Sequence, residues 1–452
     1  MRESEAVAVR NKRTAPKPTL CAAALAALLP VPALAARFDY QVGLGVLHSD
    51  NINLSQADER SDTIVAPRFR FDLDQHGPAL DLDLAGDLQY LTYQENTYAD
   101  DWRGEVRGDM EWRLSPDRFS LFARETLSQQ SVDTLQAFTP GNQQQINVFE
   151  AGPTFYARLG KTTKAQLDLR YTDSYAEETA SFNSARYSAA ARLQRDFSGV
   201  TQGLVNVEAS RIEYDQISSL YDYDRYDAYL TYRRELASAT LDIDAGYTRL
   251  DQRNLNQQAS GPLLRADLSW TPGARGTFRV GFSDQFADAA QDMLLNLDTA
   301  TGTVIPVLPG DPSLGSVIPG IQIIPDVFRE QRANASWTYT GERLNLTVDP
   351  YVGRLRYEQQ DTFDQDLQGL QLVGSWQLRQ LTTLSFMANW QRRDFDTVSR
   401  TDTDKLAGIG LAQRFSRRWS ARLDLLRRER SSSIQGQNYT ENSAIVSVTY
   451  RR

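Results

Sequence analysis

The sequence predicts an all-β fold, a transmembrane antiparallel up-and-down β-barrel of about twenty strands, eighteen being also compatible. Three observations predict it. Apolar residues occupy every second position in one segment after another, the links between segments alternate between short and long, and a leader sequence precedes the first segment.

The leader comes first in the chain. Arg10, Lys12, Arg13 and Lys17 precede an apolar run from Leu20 to Leu29, and Ala33-Leu34-Ala35 supplies the small residues at which signal peptides are cut. The run is about ten residues, half of the ~20 that a helical membrane span requires. Residues 1–35 therefore read as a cleaved signal peptide and 36–452 as a single barrel domain. The one cysteine, Cys21, follows Pro18-Thr19-Leu20, which lacks the Leu three positions earlier that lipoprotein signals carry. Lost with the leader, it leaves no disulfide, thiolate metal site or cysteine nucleophile.

After Ala36 no apolar run reaches the length of a helical span. Alternating strands escape that test, because lipid-facing and lumen-facing residues cancel in a window average. The clearest segment is Trp102 to Leu114, where Trp102, Gly104, Val106, Gly108, Met110, Trp112 and Leu114 form one face and Arg103, Glu105, Arg107, Asp109, Glu111 and Arg113 the other. A helix would mix these sets and a strand separates them. The same separation sets Leu80, Leu82 and Leu84 against Asp81 and Asp83, and Ala165, Leu167 and Leu169 against Gln166, Asp168 and Arg170. It recurs for Leu264 to Trp270 and for Leu384 to Trp390. A soluble sandwich could share any one such strand, but a sheet of about twenty must curl, split or close.

Taken in order, the strands end near residues 47, 73, 93, 114, 128, 159, 176, 196, 213, 235, 250, 271, 285, 340, 357, 378, 396, 415, 430 and 450. Every second link is a tight one, as at Asp74 to Pro78, Ser115 to Asp117, Phe197 to Val200, Glu235 to Ala237 and Ser416 to Arg418, and most carry Gly, Pro, Asp or Ser. The other links run from about seven to over forty residues and are polar. Short periplasmic turns and long outer loops describe an outer-membrane barrel of a Gram-negative bacterium, with both termini in the periplasm. From Trp102 to Trp112 a tilted strand rises about 25 Å, the height of the apolar band. Trp102, Trp112, Trp270 and Trp390 are accordingly expected at the membrane interfaces.

The opposite face is expected to line the lumen: Arg103, Arg107, Asp109, Arg113, Asp168, Arg170, Arg186, Arg192, Asp242, Asp244, Arg265, Asp267, Arg422, Asp424 and Arg428. Charges of both signs on neighbouring strands can pair along the wall, or they can line a hydrated conduit with weak charge preference. Reaction chemistry finds little support. His48 and His76 fall at opposite rims with no evident Ser or Asp partner, and no catalytic site, metal site or cofactor is expected. The net charge of −9 and the lack of a Lys/Arg stripe argue against nucleic acid. One loop breaks the polar rule. Between about 286 and 328 lie Met293, Leu294, Leu295, Val304-Ile305-Pro306-Val307-Leu308-Pro309, Ile321, Ile323 and Ile324, with Gly310-Asp311-Pro312 between. Either it folds into the pore mouth as a constriction, or it forms an external cap packed on neighbouring loops.

The start of the mature chain, Gly43-Leu44-Gly45-Val46 with Ser49-Asp50-Asn51-Ile52-Asn53-Leu54, and later Tyr90-Leu91-Thr92-Tyr93, resembles the large outer-membrane barrels associated with exopolysaccharide-export and exosortase (PEP-CTERM) gene clusters. The resemblance covers most of the chain in layout and only its first quarter in residues. It implies a part in passing a polysaccharide across the outer membrane and brings no catalytic residues. One departure concerns the end, where Tyr450, the aromatic expected to be read by the barrel-insertion machinery, is followed by Arg451-Arg452. The expected partners are outer-membrane lipid, that machinery, a separate periplasmic export partner, and a polysaccharide or small polar solute. A nutrient porin and a non-transporting scaffold barrel are the alternative functions.

Overall fold

A computed structural model describes residues 36–215, 218–299 and 320–452, with side chains described in all but 295–299. Residues 1–35, expected to be a signal peptide, and the apolar run from Val304 to Pro309 lie outside the described residues.

Twenty strands follow one another: β1 (Arg37–Ser49), β2 (Asp62–His76), β3 (Leu80–Tyr93), β4 (Asp101–Ser115), β5 (Phe119–Ser131), β6 (Gln143–Arg158), β7 (Thr163–Ala176), β8 (Ser184–Ser198), β9 (Thr201–Tyr214) and β10 (Tyr223–Leu236). The second half comprises β11 (Ala239–Gln252), β12 (Gln257–Trp270), β13 (Gly276–Asp288), β14 (Val327–Thr340), β15 (Leu344–Tyr357), β16 (Gln365–Arg379), β17 (Thr382–Phe395), β18 (Arg400–Arg414), β19 (Trp419–Ser432) and β20 (Tyr439–Arg451). Each pairs antiparallel with its sequence neighbours, and β1 also pairs with β20, from Gln41↔Arg451 to Ser49↔Ser443, so the sheet closes into a barrel. Closure removes the edges that an open sheet of this size would expose.

The side-chain period of two sorts the wall into an inner and an outer face. On β4 Trp102 is 66% exposed on the outside, whereas the next residue, Arg103, is buried on the inside and donates from Nη2 to Pro140 O (3.2 Å). Strand-interior prolines leave marks in the ladders, because they lack the N–H. The β2–β3, β6–β7 and β14–β15 registers skip the pairs at Pro67, Pro153 and Pro350.

The links at one rim are short, spanning 77–79, 116–118, 159–162, 199–200, 237–238, 271–275, 341–343, 380–381 and 415–418. The start of β1 and the end of β20 lie on that rim. At the other rim the links span 50–61, 94–100, 132–142, 177–183, 215–222, 289–326, 358–364 and 433–438, together with tight turns at 253–256 and 396–399. Those two turns correct the expectation that all links on this rim are long. Asn256 (φ 52°) and Ser399 (φ 49°) reverse the chain there in the left-handed region, and Asn and Ser are ordinary turn residues.

Two ladders stop short of the long-link rim. β4 and β5 pair only from Val106↔Leu127 downward, and β12 and β13 only from Leu264↔Asp284 downward. In both cases the second strand stays paired with its own hairpin partner to the top, β5 with β6 to Ser131↔Gln143 and β13 with β14 to Asp288↔Val327. The tops of these two hairpins leave the cylinder and lean inward. Their loops meet: Thr134 donates from its backbone N (2.9 Å) and its Oγ1 (2.8 Å) to Gln322 Oε1. The same loop reaches across to β17, where Arg393 Nη1 donates to Thr134 O (3.2 Å).

Candidate functional site

Among the described residues, the half of the barrel next to the long-link rim holds chain segments packed on its inner wall. After β13 the chain forms a helix, α1 (Ala289–Thr299), contrary to the expectation of strands alone. Asp288 starts it, accepting the Gln291 backbone N–H at 2.9 Å, which is the capping geometry that satisfies a free first-turn donor. The same carboxylate is buried against the Arg186 guanidinium of β8 and the Tyr223 hydroxyl of β10. Arg225 of β10 completes the anchor, donating to Phe286 O (2.8 Å) and Gln291 Oε1 (2.6 Å).

Apolar contacts reinforce these anchors. Ala289, Ala290 and Met293 of α1 pack with Ile321 and Ile323 of the returning limb against wall residues Ile146, Val148, Phe328, Leu355 and Tyr357. Phe328 and Ile146 are fully buried, as in the core of a soluble domain. A second inner cluster joins Ile52 and Tyr98, from the links after β1 and β3, to Leu47, Ile64, Met387 and Leu406. The alternation of the wall sequences thus conceals a real core inside the barrel.

The returning limb is held by polar contacts. Gly320 has φ +127°, a conformation that side chains resist, and its carbonyl accepts from Gln365 Nε2 at 2.8 Å. Gln322 donates from Nε2 to Val132 O (2.7 Å) and from its backbone N to the Tyr357 hydroxyl (3.0 Å). Asp326 accepts backbone N–H groups of Val327, Gln359 and Gln360. Burial outweighs these bonds and pushes its carboxyl up to about 6.

The half next to the short-link rim is different: its inner wall is a ladder of paired charges. Asp109 bonds Arg124 (2.6 Å), Arg113 bonds Glu111 (2.8 Å) and Asp81 (3.4 Å), and Asp168 takes Arg170 (3.1 Å), Arg192 and Thr154. Further round, Asp242 pairs with Arg233 (2.6 Å), Asp244 with Arg265 (3.0 Å) and Asp424 with Arg422 (2.6 Å). Opposite signs sit on adjacent strands or two positions apart, so the charges largely neutralise one another within the wall.

The residues expected in the lumen all lie on the inner face, but they do not share one environment. Arg107, Asp109, Arg113, Asp168, Arg170, Arg192, Asp242, Asp244, Arg265, Asp267, Arg422, Asp424 and Arg428 follow the inward register of their strands. Arg103 and Arg186, in contrast, are buried under the inward loops, paired with Asp101 and Asp288. Sequence reasoning missed Asp288, Arg225, Gln322, Thr134, Arg393 and Phe328. Only Asp288 carried a local signal, an Asp preceding the helix formers Ala289 and Ala290. The described ends of the apolar loop pack on the inner wall, Met293, Ile321 and Ile323 being buried there, while Val304 to Pro309 lie outside the described residues.

On the outer face Trp102 packs at a tilt against Tyr90 (5.1 Å) towards the long-link rim, and Trp270 stacks with Phe278 (5.6 Å) towards the other. Trp390 is exposed in the upper row, Trp112 is half-buried in the lower, and Tyr450 packs edge-on against Trp419 (5.2 Å). Tyr171, Tyr187, Tyr226 and Tyr247, not among the interface aromatics expected from the sequence, extend the upper row. Among the described residues one group resembles a metal set, His76, Asp81 and Asp83. Its imidazole already faces a carboxylate from each nitrogen, Asp81 at 2.6 Å and Asp83 at 3.4 Å, which suits a doubly protonated ring better than a metal.

No protein-family model matches the sequence, and no curated protein matches it. Solved structures with similar folds include a mutant of the ferric enterobactin receptor PfeA from Pseudomonas aeruginosa, at 9% identity and TM-score 0.46, covering 93% of this chain and 81% of that one. Pseudomonas aeruginosa OpdK, solved with vanillate, has 9% identity and TM-score 0.38, covering 92% and 99%. Acinetobacter baumannii OccAB4 has 9% identity and TM-score 0.36, covering 94% and 100%.

Proposed function

We propose that the chain is an outer-membrane conduit, closed on its extracellular side by its own loops, that takes part in exporting a polysaccharide. The membrane reading rests on the outer wall. Leu44, Val207, Leu230, Ile409, Val446 and many similar side chains stand exposed between two rows of aromatic rings, and so extensive an apolar belt is unfavourable in water. The two termini of the barrel on the short-link rim then face the periplasm.

The observation that carries the transport reading is the contrast along the axis. A charged, mutually neutralised inner wall opens towards the periplasmic rim, and a packed closure sits above it. Paired charges and amides offer many weak hydrogen bonds with little net field, which suits a polar, uncharged cargo. The resemblance of the first quarter, Gly43-Leu44-Gly45-Val46 and Ser49 to Leu54, to barrels associated with exopolysaccharide export supports a polysaccharide as that cargo. Export needs a separate periplasmic partner to deliver the polymer, and Tyr450 is the aromatic that the insertion machinery would read.

Deleting the gene and measuring polymer in the medium and in the periplasm tests this reading. Retention of polymer in the periplasm, reversed by the restored gene, is the expected result. Unchanged secretion would contradict it and favour a nutrient porin.

A further inference from the structure

The two splits in the wall are sealed by opposite chemistry. Above Val106↔Leu127, the gap between β4 and β5 is bridged by a side chain. The Gln145 amide, oriented to satisfy both of its ends, donates to Gly104 O (3.0 Å), accepts from Gly104 N (3.1 Å) and accepts from Gln129 Nε2 (3.1 Å). It takes the place of the missing strand pair. Next to it Asn147 donates to Glu125. This seam is closed by hydrogen bonds.

The β12–β13 seam has a different seal. Its floor is Leu264↔Asp284, and among the described residues no strand pairs with β12 above that point on the β13 side. Pro262 lies two residues above the floor, within the stretch that has lost its partner, and a proline cannot donate to a ladder. The split is filled by Phe286. Its ring lies against Gly261, where an added Cβ would come within 3.1 Å of it, and it packs behind the wall with Ile212, Tyr223, Leu250 and Val327. Across the top, Gln359 Nε2 bonds Gln252 (2.9 Å) and Gln257 (2.7 Å), so the split is a framed window and not an open notch.

The window's outer surroundings are apolar below and polar beside it. Leu264 and Phe282 are exposed at its foot, Tyr247 stands at its level on β11, and Asp284 is held to one side by Arg329 through two bonds of 2.7 Å. It therefore sits at the upper edge of the lipid-facing belt, and the apolar cluster behind it continues that belt through the wall. The polar groups behind the ring, Tyr223, Asp288, Arg186 and Arg225, are bonded to one another or to Phe286 O, so the surface left around the ring is the apolar one that an alkyl chain would meet.

Building on the membrane reading above, we propose that the upper β12–β13 seam is a lateral portal. Through it the alkyl chain of an amphipathic molecule, such as a lipid-linked glycan or an outer-leaflet lipid, passes between the bilayer and the interior of the barrel, with Phe286 as the movable stopper. Among the described residues, the two inward loops occupy the axial route above the charged wall, and the Phe286 ring sits in this seam by van der Waals contact while its carbonyl is held by Arg225 and the top is framed by Gln359. The β4–β5 seam, held by an amide that replaces backbone bonds, is not a route for such a chain.

The full chain, reconstituted in phosphatidylcholine vesicles containing a phospholipid with a photoreactive diazirine on its acyl chain, provides the test. Labelled residues are mapped by mass spectrometry. Continuing the register below the seam places Leu263 opposite Gln285, so Leu263→Cys with Gln285→Cys can lock it. Labelling of Leu250, Val327 and Phe286 is expected in the wild-type chain, to fall several-fold in the oxidised double variant, and to return on reduction. Phe286→Ala should raise labelling of Val327 without any cross-link. Labelling of Leu268 and Phe282 on the outer face should be equal in every form. Interior labelling absent in the wild-type chain and in Phe286→Ala, with outer labelling intact, would overturn the portal. Loss of the outer labelling itself would overturn the membrane reading instead.

Discussion

The two halves of the barrel use one alternating wall for different ends. Towards the short-link rim the inner face carries Asp109–Arg124, Asp244–Arg265 and Asp424–Arg422, paired along the wall. Towards the long-link rim the same face carries Ile146, Phe328 and Tyr357, packed against α1 and the returning limb. The packed half is not purely apolar, since buried pairs such as Arg186 with Asp288 and Arg393 with Asp404 stand beside its apolar cluster. Where the chain supplies its own filling, the inner residues obey the rules of a protein core.

That difference predicts unequal responses to substitution. The largest effects belong to the packed half. Phe328→Ala removes a fully buried ring and should cost about 3–5 kcal/mol of closure stability. Arg186→Ala leaves the buried Asp288 carboxylate without its guanidinium and should cost a similar amount, roughly 3–5 kcal/mol. Both are measured as faster proteolysis of the 289–326 loop in detergent micelles, and wild-type protection in either variant would show that the contact does not hold the closure.

A smaller effect concerns acidity. Asp326 titrates at about 6 when docked, above its ordinary 3.8. The docked form therefore holds its proton longer than the released form, so docking weakens as pH rises from about 4 through about 6 and is strongest below that window. Loop protection should be greater at pH 5 than at pH 8, and Asp326→Asn should flatten the difference. A pH dependence unchanged in Asp326→Asn would assign it to another group.

Thr134→Val removes one of the two bonds to Gln322 and should cost about 1 kcal/mol, read as a modest rise in the same cleavage. Asp109→Asn, in the ladder of the open half, should change stability by less than about 1 kcal/mol, because that pair is partly solvated. A large loss there would erase the contrast between the halves.

The contrast also separates what the sequence made legible from what it did not. Strand positions and the sorting of links followed from alternation and turn residues, both local signals that the closed register preserves. Trp102 to Leu114 reads on paper as it stands in the wall. The closure depends on partners far apart in the chain, Arg186 with Asp288, Thr134 with Gln322 and Arg393 with Thr134, and no local pattern announces such pairs. The apolar residues of the long loop announced that a burial site was needed, but not where it lay. Of the two splits, Pro262 marks one in the sequence. The other depends on a glutamine side chain standing in for a strand, which composition does not show.

The central claim is that the inward hairpins close an otherwise continuous lumen. Its most direct test is single-channel conductance in planar bilayers, comparing the wild-type chain with one in which residues 290–325 are replaced by a short Gly-Ser turn joining the paired ends Asp288 and Val327. A closed or barely conducting wild type and a large, steady conductance in the replacement are the predicted results. Equal conductance in the two, with both inserted in the bilayer, would contradict the claim.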